Sequence, residues 1–370
     1  MTPRERYLAA VDREPTDRPP LDLMGTACGL TDGALRKLKS LLGITSADRL
    51  FRQGANVKAM NEDVLGALGV GARRVWLRQL PEESAAAQGE RFTDRWGIGH
   101  ARRGAHVQQV DWPLANATAA EIEQYAWPDL TDPRQVEGLR NEARQLREAG
   151  EYAVVGRSPT AGFFEIGCAL RGMQQYMMDL VEQPAVVEAL SEHIVQKQME
   201  LYGLYLDACG EYLDVMETGD DYGSAMGLLI SPACFRRLLK PYRARLNALI
   251  KSKVPHVKIF LHSCGNVRRI IPDLIETGVD ILNPVQPVPG MEPRELVREF
   301  GRDICFHGGV DTIGLLRQPV QQVGEGVAEL RDAFGGGAWI AAPANHVQDD
   351  IPPENIRALY EFIADTRCGP

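Results

Sequence analysis

Two rhythms of apolar and polar residues run through this chain: short, nearly continuous apolar runs, and longer stretches with a helical period. The short runs predict strands over Pro20–Met24, Arg73–Leu77, Tyr152–Gly156, Tyr212–Glu217, Val257–His262, Val279–Asn283, Ile304–His307 and Trp339–Ala342. Between them lie segments with helix signals. Thr131-Asp132-Pro133 opens one that puts Val136, Leu139, Ala143 and Leu146 on a single face, with Gly150 beyond its end. Ser231-Pro232 opens another, with Leu238, Leu239, Tyr242, Leu246 and Leu249 inward, and a third runs from about Glu182 to Cys209. Strands too apolar for a half-exposed sheet, each followed by a helix, predict parallel strands under a helical layer. The expected fold is therefore α/β, a (β/α)8 TIM barrel. An open doubly wound sheet is the second choice, and no Gly-x-Gly-x-x-Gly follows a strand to support it.

An excursion over about 81–129 interrupts the alternation. Phe92-Thr-Asp-Arg-Trp-Gly-Ile-Gly within it reads as a hairpin, placed as a lid over the barrel mouth or as a dimer surface. No linker or internal repeat divides the chain, so one domain over 1–370 is expected.

Composition narrows the function classes. The 41 Lys and Arg against 50 Asp and Glu leave a formal charge of −9, and no dense basic block suggests nucleic acid as a partner. No apolar run reaches signal-peptide or membrane-span length, so a cytoplasmic protein that does not engage the membrane is expected. Seven scattered cysteines read as reduced thiols, with Cys28, Cys168, Cys209, Cys234 and Cys368 as packing residues or exposed thiols.

In a parallel barrel, the loops after the strands' C-terminal ends share one face, so the polar residues there should converge. His262-x-Cys264 ends the fifth strand and can aim an imidazole and a thiolate at one cation, a donor pair suited to Zn²⁺. A third ligand could come from His346, His307, Cys305, Glu217, Asp220 or Asp221. Cys305 reads better as core packing, and His307 or His346 could instead fix turns. Asp220, Asp221 and Glu217 are candidate acid/base groups, although one of the adjacent aspartates is expected to serve as an N-cap for the turn that follows it. Arg157, after the third strand, could pair with a carboxylate of the protein or of a substrate. Asn283, Gln286 and His307 stand at or just after the ends of the sixth and seventh strands, on the same face.

These segments resemble a known family. Met1-Thr-Pro-Arg-Glu-Arg, Glu14-Pro-Thr-Asp-Arg-Pro-Pro20, Glu165-Ile-Gly-Cys-Ala-Leu-Arg-Gly172, Gly219-Asp-Asp-Tyr-Gly223, Ile230-Ser-Pro232, His262-Ser-Cys-Gly265, Gly278-Val-Asp-Ile-Leu-Asn-Pro284, Gly308-Gly-Val-Asp311 and Pro352-Pro-Glu-Asn-Ile356 together resemble the uroporphyrinogen decarboxylase superfamily, in order and over nearly the whole chain. The resemblance implies a (β/α)8 barrel and one of two chemistries. Cofactor-free decarboxylases of this superfamily carry an arginine-bearing Met-Arg-Gln-Ala-Gly-Arg-Tyr stretch, where this chain has Leu21-Asp-Leu-Met-Gly-Thr-Ala-Cys-Gly. Corrinoid-linked methyltransferases carry His-x-Cys as zinc ligands, which His262 and Cys264 match. Their third ligand, a cysteine after the last strand, falls near Asn345, so the resemblance implies His346, with Glu217, Asp221 or His307 as alternatives. It further implies a zinc-dependent methyltransferase, homodimeric in the family's manner, that moves a methyl group between a small ether or thiol and a corrinoid, with Asn283, Gln286 and His307 among its substrate-binding residues. No Asp-x-His-x-x-Gly occurs here, so the cobalamin would come from a partner corrinoid protein. A decarboxylase and a non-catalytic ligand-binding barrel are the alternative readings.

Overall fold

The computed structural model describes residues 1–24, 27–50, 58–104 and 106–365; Cys368 lies outside them. Seven parallel strands form one sheet in chain order: β1 (Ala72–Val75), β2 (Ala153–Gly156), β3 (Val215–Gly219), β4 (Lys258–His262), β5 (Ile281–Val285), β6 (Cys305–Val310) and β7 (Trp339–Pro343). The eighth predicted strand is an extended segment over 20–24 that closes the barrel. Asp22 N donates to Ala341 O on β7 at 2.9 Å, Ala341 N donates to Pro20 O at 2.9 Å, and Gly71 N donates to Leu21 O at 2.8 Å just before β1. The α/β TIM barrel read from the sequence is the observed fold.

Alternation along the strands builds the interior in layers. Ala72, Ala153, Val155, Val215, Phe260, Ile281, Cys305 and Ile340 form one buried apolar cluster, which Tyr7, Ala10 and Val11 of the helix Pro3–Val11 join. Their neighbours Val154, Met216, Ile259, Leu261, Leu282, Phe306 and Trp339 face the helical shell. Two residues beyond the last member of that cluster on each of β1 to β6, the inward-facing position is polar, namely Arg74, Arg157, Glu217, His262, Asn283 and His307, with Asp22 from the closing segment, while β7 places Ala342 there. The functional face of the barrel therefore starts as a polar layer directly above the apolar one.

Three local expectations are revised. The helix expected from Thr131 is a 3-10 turn over Pro133–Val136 followed by a helix over Leu139–Ala149, because Gly138 between them sits at φ 75°. The helix opened by Ser231 passes through a π-turn over Phe235–Leu239 before Lys240–Lys253, where Pro241 lacks the N–H that a regular turn requires. The single hairpin is a three-stranded antiparallel sheet over Arg91–Thr93, Gly99–Arg103 and His106–Asp111. Asp94 shapes its first turn by accepting from Trp96 N and Ile98 N. Its third strand is mostly polar and so carries no apolar alternation to read.

Asp22 is fully buried and takes both terminal nitrogens of Arg74 at 2.8 Å, while Arg74 Nε reaches Glu217 Oε1 at 2.7 Å. Burial opposes the Asp22 charge, but Arg74 and the His307 hydrogen bond outweigh it and hold the carboxyl well below its usual range. Asp22→Asn is expected to destabilise the protein by about 3–5 kcal/mol at pH 7 in urea denaturation, since Arg74 loses a buried counter-charge. A depressed folded pKa stabilises above the unfolded value and is lost in acid. The difference from wild type should therefore shrink below about pH 4.

Candidate metal centre and adjoining cavity

Asn283 organises the polar layer. Its Oδ1 lies 2.5 Å from His262 Nδ1, and its Nδ2 lies 2.7 Å from His307 Nδ1 and 3.3 Å from Cys28 Sγ. One amide orientation satisfies all three neighbours: the oxygen accepts from His262, and the NH₂ group donates to His307. In neutral His262 the proton therefore sits on Nδ1, leaving the Nε2 lone pair free. His307 then carries its proton on Nε2 and donates it to Asp22 Oδ2 at 3.0 Å.

His262 Nε2 lies 3.4 Å from Cys264 Sγ and 3.6 Å from Asp221 Oδ1. Among the described residues these three form one group whose potential ligand atoms all lie within 4.8 Å of one another. Tetrahedral zinc, with bonds of about 2.0–2.3 Å, separates its ligand atoms by about 3.3–3.6 Å. The donor set, one imidazole, one thiol and one carboxylate, therefore fits the ion in both chemistry and spacing. Burial and the Asp221 charge raise the Cys264 thiol above its ordinary pKa, and a bound cation would reverse this by holding the thiolate. Local sequence fixes the loop. Gly265 sits at φ 78°, where a Cβ would come within 2.5 Å of Ser224 backbone atoms. Its N–H donates to Gln286 Oε1 at 2.8 Å, and Cys264 N donates to Asp221 Oδ1 at 2.8 Å.

The remaining expected residues take different places. His346 lies outside the group of three, and its Nδ1 accepts from Gly29 N at 3.3 Å. Asn283 and His307 are fully buried beneath the site, and Gln286 positions the Cys264 loop. Asp220 is fully buried and accepts from Phe164 N at 3.2 Å and Glu165 N at 3.1 Å, at the N-terminus of the helix Phe163–Arg171. It also meets Tyr222 Oη at 3.0 Å and Arg243 at 3.1 Å. Asp220 therefore does not cap the turn that follows it, as the sequence suggests, but accepts at the N-terminus of a helix more than 50 residues earlier in the chain. Gly162 makes this approach possible, since a Cβ there would lie 2.1 Å from Asp220 Oδ1. Cys305 is core packing, as its position on β6 suggested.

Glu217 and Arg157 border a cavity of 520 Å³ that His262 also lines. Trp76, Leu77, Leu130, Leu201 and Phe260 supply its apolar walls, and Asp94, Arg95 and Trp96 bring the 81–129 excursion into the same wall. The excursion thus helps enclose the mouth. Sequence reasoning passed over Asp22, Arg74 and Glu165. Arg74 inside an otherwise buried strand was the available signal. Glu165 lines the cavity, and burial together with the Asp220 and Asp221 charges pushes its carboxyl up to about 8.

A barrel with a cation-ready cluster at the C-terminal ends of its strands is the class that fold and site define. The chain belongs to the uroporphyrinogen decarboxylase (URO-D) family, whose sequence model matches residues 109–366. A methyltransferase from Methanosarcina mazei is similar in structure, with a TM-score of 0.66 and 20% identity over 99% of both chains. A putative vitamin-B12 independent methionine synthase from Listeria monocytogenes is similar at TM-score 0.44 and 11% identity, covering 94% of this chain and 98% of that one. No curated protein matches the sequence. No helix among the described residues is long and apolar enough to cross a membrane.

The Glu165 shift has a measurable sign. Its carboxyl is neutral in folded and unfolded chains below about pH 4, and above that the unfolded chain gains by ionising first. Wild-type stability should therefore fall between about pH 4 and 8 through this group. Glu165→Gln keeps a side-chain oxygen for the Gly162 N–H, so in metal-free protein its stability relative to wild type should rise across that interval, as read by urea denaturation at stepped pH.

Proposed function

We propose that this protein is a zinc-dependent methyltransferase that moves a methyl group between a small methyl ether or thiol and a corrinoid held by a partner protein. The observation that carries the reading is the Asp221, His262 and Cys264 group, whose His262 lines an adjoining cavity. Family membership and the Methanosarcina mazei likeness are consistent with it. His262, Cys264 and Asp221 would hold the metal, with Asp221 rather than His346 as third ligand. Three protein ligands are typical of catalytic zinc sites, which keep a fourth position for water or substrate. When bound, zinc supplies Lewis acidity at the methyl-bearing oxygen or sulfur, and the corrinoid supplies the methyl acceptor or donor.

The chain's own residues do the rest. Asn283 fixes the His262 tautomer and so aims Nε2. Trp76, Trp96, Leu130 and Leu201 keep water from the reacting methyl, and Glu217 and Arg157 orient the substrate body. Asp220 acts as a positioning residue through the helix it caps.

Metal analysis after reconstitution is expected to find about one zinc per chain. His262→Ala, Cys264→Ala and Asp221→Ala should lose it, His346→Ala should retain it, and Asn283→Ala should weaken affinity roughly 10–100-fold. Methyl donors would then be screened with cob(I)alamin. Protein that takes up no zinc would overturn the mechanism in favour of a cofactor-free decarboxylase or a non-catalytic barrel.

A further inference from the structure

The cavity that His262 borders has a neighbour. A second cavity, of 610 Å³, is walled by the helix Pro81–Ala86 and by the three-stranded sheet of the excursion, where Phe92 and His100 stack with ring centroids 4.8 Å apart. Gln79, Glu83, Asp94 and Arg95 line both cavities, so these side chains form the wall between them. Glu83 and Arg95 close that wall as an ion pair, with Arg95 Nε donating to Glu83 Oε1 at 2.6 Å.

The two partners are held unequally. Arg95 Nη2 also donates to Gln135 Oε1 at 3.1 Å, and Gln135 is buried and donates to Leu130 O at 2.7 Å. With buried Trp96 beside it, Arg95 stands on a fixed post. Glu83 belongs to the helix Pro81–Ala86, none of whose six residues is buried and whose N-terminus no side chain caps. Polar contacts hold that helix: Glu82 to Arg134 at 2.5 Å, Ser84 to Gln79 at 3.2 Å and, just past its end, Ala87 O to Arg102 at 2.8 Å. The Glu83 side chain is 42% exposed and that of Arg134 is 56%, so water weakens both ion pairs. An element without buried apolar surface opens at low cost while the layers beneath it stay folded. We propose that the helix Pro81–Ala86 is a lid latched by Arg95, and that its outward swing joins the two cavities into one cleft from the Phe92–His100 face to His262. The cleft then has two lengths, a short one ending at the Arg95–Glu83 pair and a long one reaching the sheet. Neither the cavities nor the latch depends on the chemistry of the metal centre.

Hydrogen exchange of the full-length protein, read by mass spectrometry, tests the latch without any ligand. The reporters are the amides of Ser84, Ala87, Gln88 and Gly89, which donate to Leu80 O, Glu83 O, Ala85 O and Ala86 O while the helix is shut. Glu83→Gln, and separately Arg95→Gln, should speed their exchange about 2- to 5-fold, the range for losing one exposed ion pair. Raising NaCl from about 0.05 to 1 M should act in the same direction on wild type by screening the pair. The double variant Glu83→Arg with Arg95→Glu should restore part of the protection, which separates a latch from a general loss of stability. Acrylamide quenching reads the cavity side. Trp96 is 7% exposed and lines the cavity that His262 borders, and its signal, taken as the difference from Trp96→Phe, should become more quenchable in Glu83→Gln and Arg95→Gln. Unchanged exchange in both variants would overturn the latch. Faster exchange with unchanged Trp96 quenching would mean a helix that frays without joining the cavities, and would also overturn the inference. So would exchange that rises equally in the strands Arg91–Thr93 and Gly99–Arg103, because the excursion would then loosen as a whole.

Discussion

One side-chain amide sets the geometry on which the site depends. Asn283 stands between two imidazoles, accepts from one and donates to the other, and so fixes both tautomers at once. His307 passes that constraint to Asp22, Asp22 to Arg74, and Arg74 to Glu217. Asp22 and Glu217 carry two negative charges, Arg74 and Arg157 two positive ones, so the buried layer is neutral in sum. Interlocked ion pairs of this kind are rigid, whereas the loss of one charge leaves another unpaired in a medium that penalises it. That rigidity lets His262, at the top of its strand, present Nε2 to Cys264 and Asp221.

The fold supplies this layer through strand alternation rather than special loops. Each inward polar residue follows an apolar one by two positions, so the same pleat that packs the barrel interior also raises the site. The loops add the variable parts: Gly265 turns the chain beneath Cys264, and Gly162 admits Asp220 to a helix end. The excursion over 81–129 walls the cavity with Asp94, Arg95 and Trp96. Chemistry and enclosure thus come from different parts of the chain, a division common to barrels of this architecture.

The barrel was legible because seven of its strands are apolar enough to be covered on both faces, and the eighth, over 20–24, showed the same pattern although it pairs by only a few hydrogen bonds. His262-x-Cys264 was legible because donor type and strand end coincide. The third member of the cluster was harder to identify. Asp220 and Asp221 are adjacent and chemically alike, and only the fold shows that the first turns into a helix N-terminus and the second toward Cys264. His346, reached by counting along the sequence, accepts from Gly29 N at Nδ1 and lies outside the Asp221, His262 and Cys264 group. Asp22 and Arg74 escaped notice because their pairing spans 52 residues and has no local signature.

X-ray absorption at the zinc edge of the reconstituted protein probes the central claim most directly, because it reads the donor atoms themselves. The account predicts one sulfur at about 2.3 Å with nitrogen and oxygen neighbours near 2.0–2.2 Å, and a single imidazole scattering pattern. A shell without sulfur, or one with two imidazoles, would contradict an Asp221, His262 and Cys264 centre and return His346 to the metal.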